Sequence, residues 1–496
     1  MDPSLRERAV AALCAPDLAP IVDLVVWCED GRPHAANHLG RISWNHDDTR
    51  TVLSGRDPIG SEDPLAFLPY SREVAAPSPA VSTENSYPHA ARRLRSFFAD
   101  PDRSPDLAIM HTPRHFFPEE GGNPGEHGSL DAIQSRAPLL LSGPGVAARG
   151  LVDDHARLVD VGPTLAVLSG VPATDLVDAD GATLDGRPLT AYLTGERPRF
   201  VVGVLWDGAP SGDLLHLAEA GELPAVARLL ERGTALRGGA VAEFPSITLT
   251  NHTAILTGLG PGRHGVLGNV YFDRASGERV VPNDESTWHR SAEWLRPAVR
   301  TVFEMVGEAL GPSDSVGGPR TASVNEAIDR GADYSTMGLI RAGATGGGSL
   351  DDALPDAGAS PFVRNPAFLD DGHYRWGVSV DDIGLDQVLD LFADPATAPR
   401  LTWWAHVLTD AAHHSAGPRS EMARDSLRQS DARLGRFLDH LAAAGILDQT
   451  AFLLTADHGF EGADPTVTGS WRPALDGLGA PYRDEGPGLV YFSGPQ

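Results

Sequence analysis

Residues 199–208 read RFVVGVLWDG, a short apolar run that ends abruptly in an aspartate and a glycine. Residues 401–410 (LTWWAHVLTD) and 450–459 (TAFLLTADHG) repeat this pattern, and each has an aspartate near its carboxyl end. Runs of this kind are typical of strands that are buried on both faces of a parallel sheet. Residues 106–113 (DLAIMHTP) and 20–30 (PIVDLVVWCED) have the same character, so we expect them to be parallel strands as well.

Helical patterns lie between these runs. Residues 211–233 and 421–445 carry apolar side chains at helical spacing, and each pattern ends in glycine. Strands that alternate with helices predict an α/β fold with a doubly wound, mostly parallel sheet flanked by helices. In such sheets ligands bind at the carboxyl ends of the strands, which is where the three aspartates fall.

Composition divides the chain into parts. Residues 269–399 loosen into clusters of Gly, Pro and Asp with one clear helical pattern at 301–310, and we interpret them as an inserted cap over the site. A Gly-Glu-Arg-Pro linker at 195–198 separates an N-terminal segment, residues 1–197, from the main part, residues 198–496.

Charge and composition exclude several classes of protein. The formal net charge of −27 argues against a protein that binds nucleic-acid duplexes, which requires a basic face. The chain has no lysine, which excludes a P-loop or a Schiff-base lysine, and its two cysteines are too few for a disulfide scaffold. The first residues are charged and no apolar run is long enough to span a membrane, so we expect a soluble, cytoplasmic protein without membrane contact.

Acidic and imidazole side chains recur at the ends of the predicted strands. Asp207 ends the first strand, Asp457 and His458 follow the third, and Asp410 and His414 lie one helical turn apart after the second. Carboxylate and imidazole together suit zinc or manganese. Any one of these residues could instead cap a helix or fill the core, but their recurrence at three strand ends favours a metal site.

A hydroxyl-rich turn precedes a short helical pattern. Residues 244–252 read FPSITLTNH, and the hydroxyl of Ser246, Thr248 or Thr250 could serve as a nucleophile. A helix N-terminus and a metal would both stabilise its alkoxide. Each of these residues is also an ordinary capping residue, so the turn alone does not choose between them.

Four segments carry a resemblance to a known family. Residues 201–208 (VVGVLWDG), 244–269 (FPSITLTNHTAILTGLGPGRHGVLGN), 409–418 (TDAAHHSAGP) and 455–460 (TADHGF), in this order, resemble the type I phosphodiesterase and nucleotide pyrophosphatase branch of the alkaline phosphatase superfamily. The resemblance implies that Thr248 is the nucleophile and that Asn251 hydrogen-bonds a phosphoryl oxygen. It also implies two divalent metal ions, zinc or manganese: one held by Asp207, Thr248, Asp457 and His458, the other by Asp410, His414 and one further histidine.

The further histidine is out of its expected order. The family supplies it in a G-x-H-G turn near the C-terminus, whereas no histidine follows His458 in this chain. Residues 125–129 (GEHGS) offer His127 instead, and the runs that follow at 136–146, 157–172 and 184–195 resemble the usual C-terminal end of these enzymes. We therefore expect a circular permutation in which the N-terminal segment completes the core. The alternative is a separate, truncated homologous domain, which would lack a nucleophile motif of its own.

The resemblance implies hydrolysis of phosphodiester, nucleotide pyrophosphate or related phosphoester or phosphonate bonds in a small phosphate-containing substrate, through a phospho-threonine. The alternatives are a phosphotransferase or mutase on the same fold and a non-catalytic binding homologue. The cap and its loops match nothing that identifies the substrate. The other histidines receive structural interpretations: His252 and His264 as core turn residues, and His111, His115, His289, His406 and His413 without motif support.

Overall fold

The computed structural model describes residues 2–75, 86–118, 121–311, 318–343, 354–486 and 488–492. The strands of these residues are β1 (Val22–Glu29), β2 (Arg32–Ala36), β3 (Gly40–Trp44), β4 (Arg50–Gly55), β5 (Leu107–His111), β6 (Gly125–Glu126), β7 (Arg136–Ala137), β8 (Leu139–Ser142), β9 (Gly150–Val152), β10 (Ala156–Arg157), β11 (Phe200–Trp206), β12 (Gly233–Leu236), β13 (Ala240–Val241), β14 (Tyr271–Asp273), β15 (Glu278–Val280), β16 (Thr321–Val324), β17 (Tyr334–Ser335), β18 (Leu401–His406), β19 (Thr450–Thr455), β20 (Glu461–Gly462), β21 (Tyr482–Glu485) and β22 (Leu489–Phe492).

The α-helices of the same residues are α1 (Pro3–Leu13), α2 (Tyr70–Ala75), α3 (Ala90–Phe97), α4 (Ala132–Ser135), α5 (Val161–Leu168), α6 (Ser211–Glu219), α7 (Pro224–Leu230), α8 (Thr248–Thr257), α9 (Pro261–His264), α10 (Val302–Leu310), α11 (Thr336–Arg341), α12 (Gly372–Leu391), α13 (Leu408–Ala416), α14 (Glu421–Ala443) and α15 (Arg472–Asp476).

A mostly parallel sheet of eight strands forms the centre of the fold, in the order β17-β16-β18-β11-β19-β8-β12-β9. β11 pairs in parallel with both β18 and β19, so the three apolar runs with terminal aspartates are adjacent strands. Gly203 in β11 leaves room for the ring of Trp403 on β18, which a Cβ atom would approach to 2.3 Å. Helices flank the sheet, and the predicted α/β class is confirmed.

The N-terminal segment contributes directly to this sheet. β8 lies between β19 and β12 and pairs antiparallel with both, and β9 forms the far edge beside β12. Leu139, Leu140 and Leu141 of β8 are buried in the same core as the strands of the main part. Residues 1–197 and 198–496 therefore share one hydrophobic core.

Two of the predicted parallel strands belong elsewhere. β1 and β5 lie in a second, seven-stranded sheet of order β21-β22-β5-β1-β2-β3-β4, in which every pairing is antiparallel. The prediction was wrong because the run of β1 is buried on both sides by two separate clusters, which hides the alternation expected of an antiparallel strand. The last strand, β22, pairs with β5 of the N-terminal segment.

The segment at 269–399 is only partly a cap. β16 pairs in parallel with β18 and extends the central sheet, and β17 pairs with β16. The segment also contains the 20-residue helix α12 in addition to α10 at the predicted position. These parts belong to the core of the fold, which corrects the expectation of a cap with a single helix. None of the described helices is both long and apolar enough to cross a lipid bilayer.

Candidate metal and nucleophile site

The three strand-end aspartates meet at one edge of the central sheet. Asp207 directly follows β11, Asp457 follows β19, and Asp410 lies in the first turn of α13, which begins just after β18. Because β18, β11 and β19 are parallel neighbours, their carboxyl ends bring these carboxylates together.

Gly208 allows the three carboxylates to lie close together. Its φ is +65°, and a Cβ atom there would lie 2.4 Å from the ring of Phe460 and 3.1 Å from Asp410 Oδ1. Its amide nitrogen donates a hydrogen bond to Asp457 Oδ1. Glycine is required because the chain turns in the left-handed region with no space for a side chain.

The first potential metal-binding group is buried around Asp207 and Asp457. His458 Nε2 lies 3.2 Å from Asp457 Oδ2 and 3.6 Å from Asp207 Oδ1. His252 Nε2 lies 3.6 Å from Oδ2 of each aspartate. The carboxylates and both imidazoles therefore face one small volume.

The second group joins the N-terminal segment to α13. His127 Nε2 lies 3.1 Å from His414 Nε2 and 3.9 Å from Asp410 Oδ1, and His414 Nε2 lies 3.5 Å from the same oxygen. The side chains of Asp410 and His414 are partly open to solvent. Asp410 also lies within reach of Asp207 and His458, so the two groups are contiguous.

The four imidazoles of the two groups are held in the same way, through Nδ1. The Nδ1 atom of each is placed to donate a hydrogen bond: His127 to Ser246 O, His414 to Gly125 O, His458 to Gly459 O, and His252 to Glu326 Oε2. These contacts leave the Nε2 atom of each ring directed into the site. A hydrogen bond of this kind on the remote nitrogen is the usual support of a histidine that binds a metal.

The charges of the site call for a cation. Burial, and then the Asp457 and Asp410 carboxylates, raise the pKa of Asp207 well above its usual value. Burial, and then the His458 and His414 imidazoles, hold the pKa of His127 well below its usual value, which keeps the ring neutral. Five buried atoms of the site make no hydrogen bond to the described residues: Asp207 Oδ1, His252 Nε2, Asp410 Oδ1, Asp457 Oδ2 and His458 Nε2. This donor set fits divalent metal ions with mixed imidazole and carboxylate preference.

Of the three hydroxyl residues of the turn, Thr248 alone lines the cavity at this site. Thr248 begins α8 and lines a cavity of about 120 Å³ together with Asp207, His252 and Asp410. Ser246 is fully buried, and its hydroxyl donates to Ser129 O. Thr250 is also fully buried, and its hydroxyl makes no hydrogen bond to the described residues.

Asn251 is not placed as the sequence predicts. It is fully buried, its Oδ1 accepts from Glu243 N, and its Nδ2 donates to the carbonyls of Pro245 and Ile247. The amide is thus occupied in holding the turn before Thr248, and Asn251 is not among the residues that line the cavity. The assignment of Asn251 to a phosphoryl oxygen is corrected accordingly.

Asn269 offers an amide on the open side instead. Its Oδ1 accepts from Leu249 N at the start of α8, and its side chain lines a cavity shared with His127 and His414. Its Nδ2 makes no hydrogen bond to the part of the chain that the structure describes. The sequence held a signal for this residue, because Asn269 ends the resembling segment at 244–269.

His252 was interpreted as a core turn residue, and this was wrong. Its partner Glu326 also accepts a hydrogen bond from Trp403 Nε1, and Glu326 and Trp403 lie on or beside strands of the central sheet. Burial lowers the pKa of His252, but the carboxylates of Glu326, Asp207 and Asp457 outweigh it and raise that pKa well above its usual value. His264 does satisfy a turn, since its Nδ1 accepts from Val266 N.

A wide cavity of about 1010 Å³, called the mouth below, opens beside the site. It is bordered by Asp284, Glu285, Trp288, Trp376 and His414, among others. The rings of Trp288 and Trp376 lie 5.4 Å apart between their centroids. Both tryptophans come from the segment at 269–399. This segment therefore walls the entrance, although part of it belongs to the central sheet.

Comparisons with known proteins agree with this geometry. The family model described as type I phosphodiesterase / nucleotide pyrophosphatase matches residues 201–476, more than half of the chain. An uncharacterized pyrophosphatase/phosphodiesterase of Schizosaccharomyces pombe is 40% identical over 75 residues, 13% of this chain and 16% of that protein. The alkaline phosphatase PafA of Elizabethkingia meningoseptica is 32% identical over 92 residues, 18% of this chain and 17% of that protein. The matched regions thus span less than a fifth of these relatives.

Solved structures give partial matches as well. Phosphonoacetate hydrolase from Sinorhizobium meliloti 1021 is 22% identical with a TM-score of 0.34, over 54% of this chain and 58% of that chain. Murine ectonucleotide pyrophosphatase / phosphodiesterase 5 is 15% identical with a TM-score of 0.35, over 53% and 57%. On the match of residues 201–476, the chain belongs to the type I phosphodiesterase / nucleotide pyrophosphatase family, a branch of the alkaline phosphatase superfamily.

Proposed function

We propose that the protein is a metal-dependent hydrolase of phosphoester bonds, with Thr248 as its nucleophile. One observation carries the proposal: Thr248 lines a cavity whose other polar walls include Asp207, His252 and Asp410. A hydroxyl at a helix N-terminus beside clustered carboxylates and an imidazole is suited to nucleophilic attack at phosphorus once metal ions are bound.

Two divalent ions, zinc or manganese, would be held by the residues named from the sequence. Asp207, Thr248, Asp457 and His458 would hold one, and Asp410, His414 and His127 the other. When bound, such ions lower the pKa of a coordinated hydroxyl and neutralise charge on the leaving oxygen. His252 Nε2 lies 3.6 Å from a carboxylate oxygen of Asp207 and of Asp457, and the hydrogen bond between its Nδ1 and Glu326 would orient the ring toward the first ion.

The chain's own residues account for the two chemical steps. Thr248 Oγ attacks phosphorus and gives up its proton, so that the Oγ–P bond forms while the bond from phosphorus to the leaving oxygen breaks, and the leaving oxygen takes up one proton in exchange. The partial positive charge at the N-terminus of α8 would stabilise the developing negative charge. Water then attacks phosphorus from the opposite side, which breaks the Oγ–P bond and returns the Thr248 hydroxyl. Two inversions give overall retention at phosphorus.

Asn269, in place of Asn251, is the amide that we propose to contact a phosphoryl oxygen. Its Oδ1 is fixed by Leu249 N, which leaves the two N–H donors of Nδ2 for a substrate. The substrate would be a small phosphate-containing molecule, such as a phosphodiester, a nucleotide pyrophosphate or a phosphonate.

We also propose that the chain is a circular permutation of the family's usual order. Three findings support this. The family match begins at residue 201, β8 of the N-terminal segment lies inside the central sheet, and His127 faces Asp410 and His414. The pairing of β22 with β5 joins the two ends of the chain in one sheet.

The test is a panel of nitrophenyl phosphate monoesters and diesters, assayed after chelation and after addition of zinc or manganese. We expect turnover only with metal, and none in the Thr248→Ala protein. Addition of a competing alcohol distinguishes a phosphotransferase, which would form a new ester from it. Absence of turnover with every ester and both metals would reject the proposal.

A further inference from the structure

We propose that an apolar cavity beside His127 and His414 binds a neutral aryl or alkyl leaving group of the phosphoester substrate. This inference rests on the proposed function and specifies the substrate class. The cavity has a volume of about 270 Å³ and lies between the catalytic site and the second sheet.

The walls of the cavity are mainly hydrophobic. Met110 of β5 and Leu489 of β22 line it from the second sheet, and Phe244, Ile247 and Val270 line it from the main part. Met110 and Leu489 are nearly fully buried in a shared hydrophobic cluster. An apolar ligand group that enters this space would lose part of its contact with water, which contributes roughly 25 cal/mol for each Å² of apolar surface buried.

The position of the cavity favours the leaving group of the substrate, rather than the part that stays on phosphorus, as its occupant. His127, His414 and Asn269 reach into it, whereas Thr248 lines the smaller cavity on the side of Asp207. In-line displacement places the leaving oxygen opposite the attacking oxygen. A leaving group that departs from the side away from Thr248 therefore enters the apolar cavity.

Charge favours a neutral group over an anionic one. No arginine is among the described residues that line the apolar cavity or the mouth, and the whole chain has no lysine. Asp284 and Glu285 border the mouth, and Glu126 lies in the wall of the apolar cavity. A polyphosphate or carboxylate leaving group would meet these carboxylates without a basic side chain to offset them.

The walls come partly from outside the region that matches the family. Met110 precedes residue 201 and Leu489 follows residue 476, the limits of the match. The second sheet thus adds a binding surface that the matched region does not supply.

The experiment compares leaving groups of similar acidity and different apolar size. Phenyl phosphate is compared with 4-biphenylyl phosphate, and methyl phenyl phosphate with methyl 4-biphenylyl phosphate, so that monoesters and diesters are both covered. For at least one pair, we expect the wild-type kcat/KM of the biphenylyl ester to exceed that of the phenyl ester by about 10-fold or more. Calorimetry with 4-phenylphenol alone gives a readout that does not need turnover.

Substitutions in the cavity wall test whether the preference for the biphenylyl ester comes from the apolar cavity. Leu489→Trp and, independently, Val270→Phe should reduce the ratio toward one and weaken binding of 4-phenylphenol by about 10-fold. Leu489→Met, which keeps an apolar side chain of similar volume, should preserve both. Melting temperature and metal content confirm that each variant is folded and loaded.

Two outcomes would overturn the inference separately from the proposed function. Esters that are hydrolysed with no preference for the larger group would reject the apolar subsite alone. The same holds for a preference that persists in both bulky variants. If no ester is hydrolysed, the proposed function fails and this inference fails with it.

Discussion

His127 and His414 are 287 positions apart in the sequence, and their Nε2 atoms lie 3.1 Å apart. Each ring is fixed from behind by a hydrogen bond from Nδ1 to a backbone carbonyl, of Ser246 and Gly125 respectively. Gly125 belongs to the same turn as His127, so this turn supplies one of the two imidazoles and also the carbonyl that fixes the other. Two imidazoles that face each other in this way beside Asp410 are suited to share one metal ion.

His127→Ala should remove one ligand of the second metal. We expect the affinity for that ion to fall by more than about 100-fold and activity to fall with it, with partial rescue by excess metal. The first ion should remain bound, because Asp207, Asp457 and His458 are untouched. Metal content per chain after dialysis checks this. The exposed His38→Ala serves as control, and an unchanged metal content in His127→Ala would contradict the assignment.

The sequence predicted the strand ends well because their signal is local. The apolar runs of β11, β18 and β19 end in aspartates, and parallel neighbours bring such ends together whatever lies between them. The same signal was misleading for β1 and β5, because burial on both faces does not depend on the direction of the neighbouring strand. Pairing partners are long-range information, which a single run does not contain.

Roles that depend on distant partners were harder to predict. His252 is an example, because the sequence does not indicate that Glu326, 74 positions away, would fix the ring of His252 beside the strand-end aspartates. Whether an asparagine amide points into a cavity or hydrogen-bonds to the backbone also depends on the detailed conformation of the loop, which the sequence does not show. His127 was predictable only through the family resemblance, because its turn has no feature of its own that indicates a metal.

A matched pair of variants tests the nucleophile. Thr248→Val and Thr250→Val make the same change two positions apart, but of the two residues only Thr248 lines the cavity, whereas Thr250 is fully buried. We expect Thr248→Val to lower kcat by at least about 10³-fold and Thr250→Val to change it little. Acid-quenched wild-type enzyme should carry a phosphoryl group on the peptide that contains Thr248. Loss of activity in Thr250→Val alone would assign the nucleophile elsewhere.

Asp207→Asn should stabilise the metal-free protein while it weakens metal binding. Asp207 has a raised pKa in the folded state, whereas the unfolded carboxyl has its usual value of about 3.9. The folded state therefore retains this proton at higher pH, and the destabilisation is absent below about pH 4 and complete above the folded pKa. Melting curves of the metal-free proteins should show wild-type stability falling as pH rises, with a weaker decline in Asp207→Asn.

Bound zinc should stabilise the wild type more than Asp207→Asn, which opposes the difference in stability expected for the metal-free proteins. We expect zinc to raise the melting temperature of the wild type more at pH 8 than at pH 6, and to raise that of Asp207→Asn much less at either pH. Equal zinc-induced shifts in the two proteins would show that Asp207 does not hold a metal.

Gly125→Ala tests the contact between the His127 turn and α13. A Cβ atom at Gly125 would lie 2.4 Å from the carbonyl oxygen of His413, so the turn must move away from the helix. We expect weaker binding of the second metal and a loss of activity of about 10-fold or more. Gly307→Ala in α10, where the nearest atom is a flexible arginine tip at 3.8 Å, should leave both unchanged. Equal behaviour of the two variants would mean that the contact does not position His127.

Metal stoichiometry measured together with activity tests the central claim most directly. Chelated and dialysed protein is titrated with zinc or manganese, and bound metal per chain is determined at each step beside hydrolysis of the best nitrophenyl ester. We expect no activity without metal and full activity when two ions are bound per chain, whereas His127→Ala should retain one ion and little activity. Full activity in a protein shown to be free of metal would contradict the account.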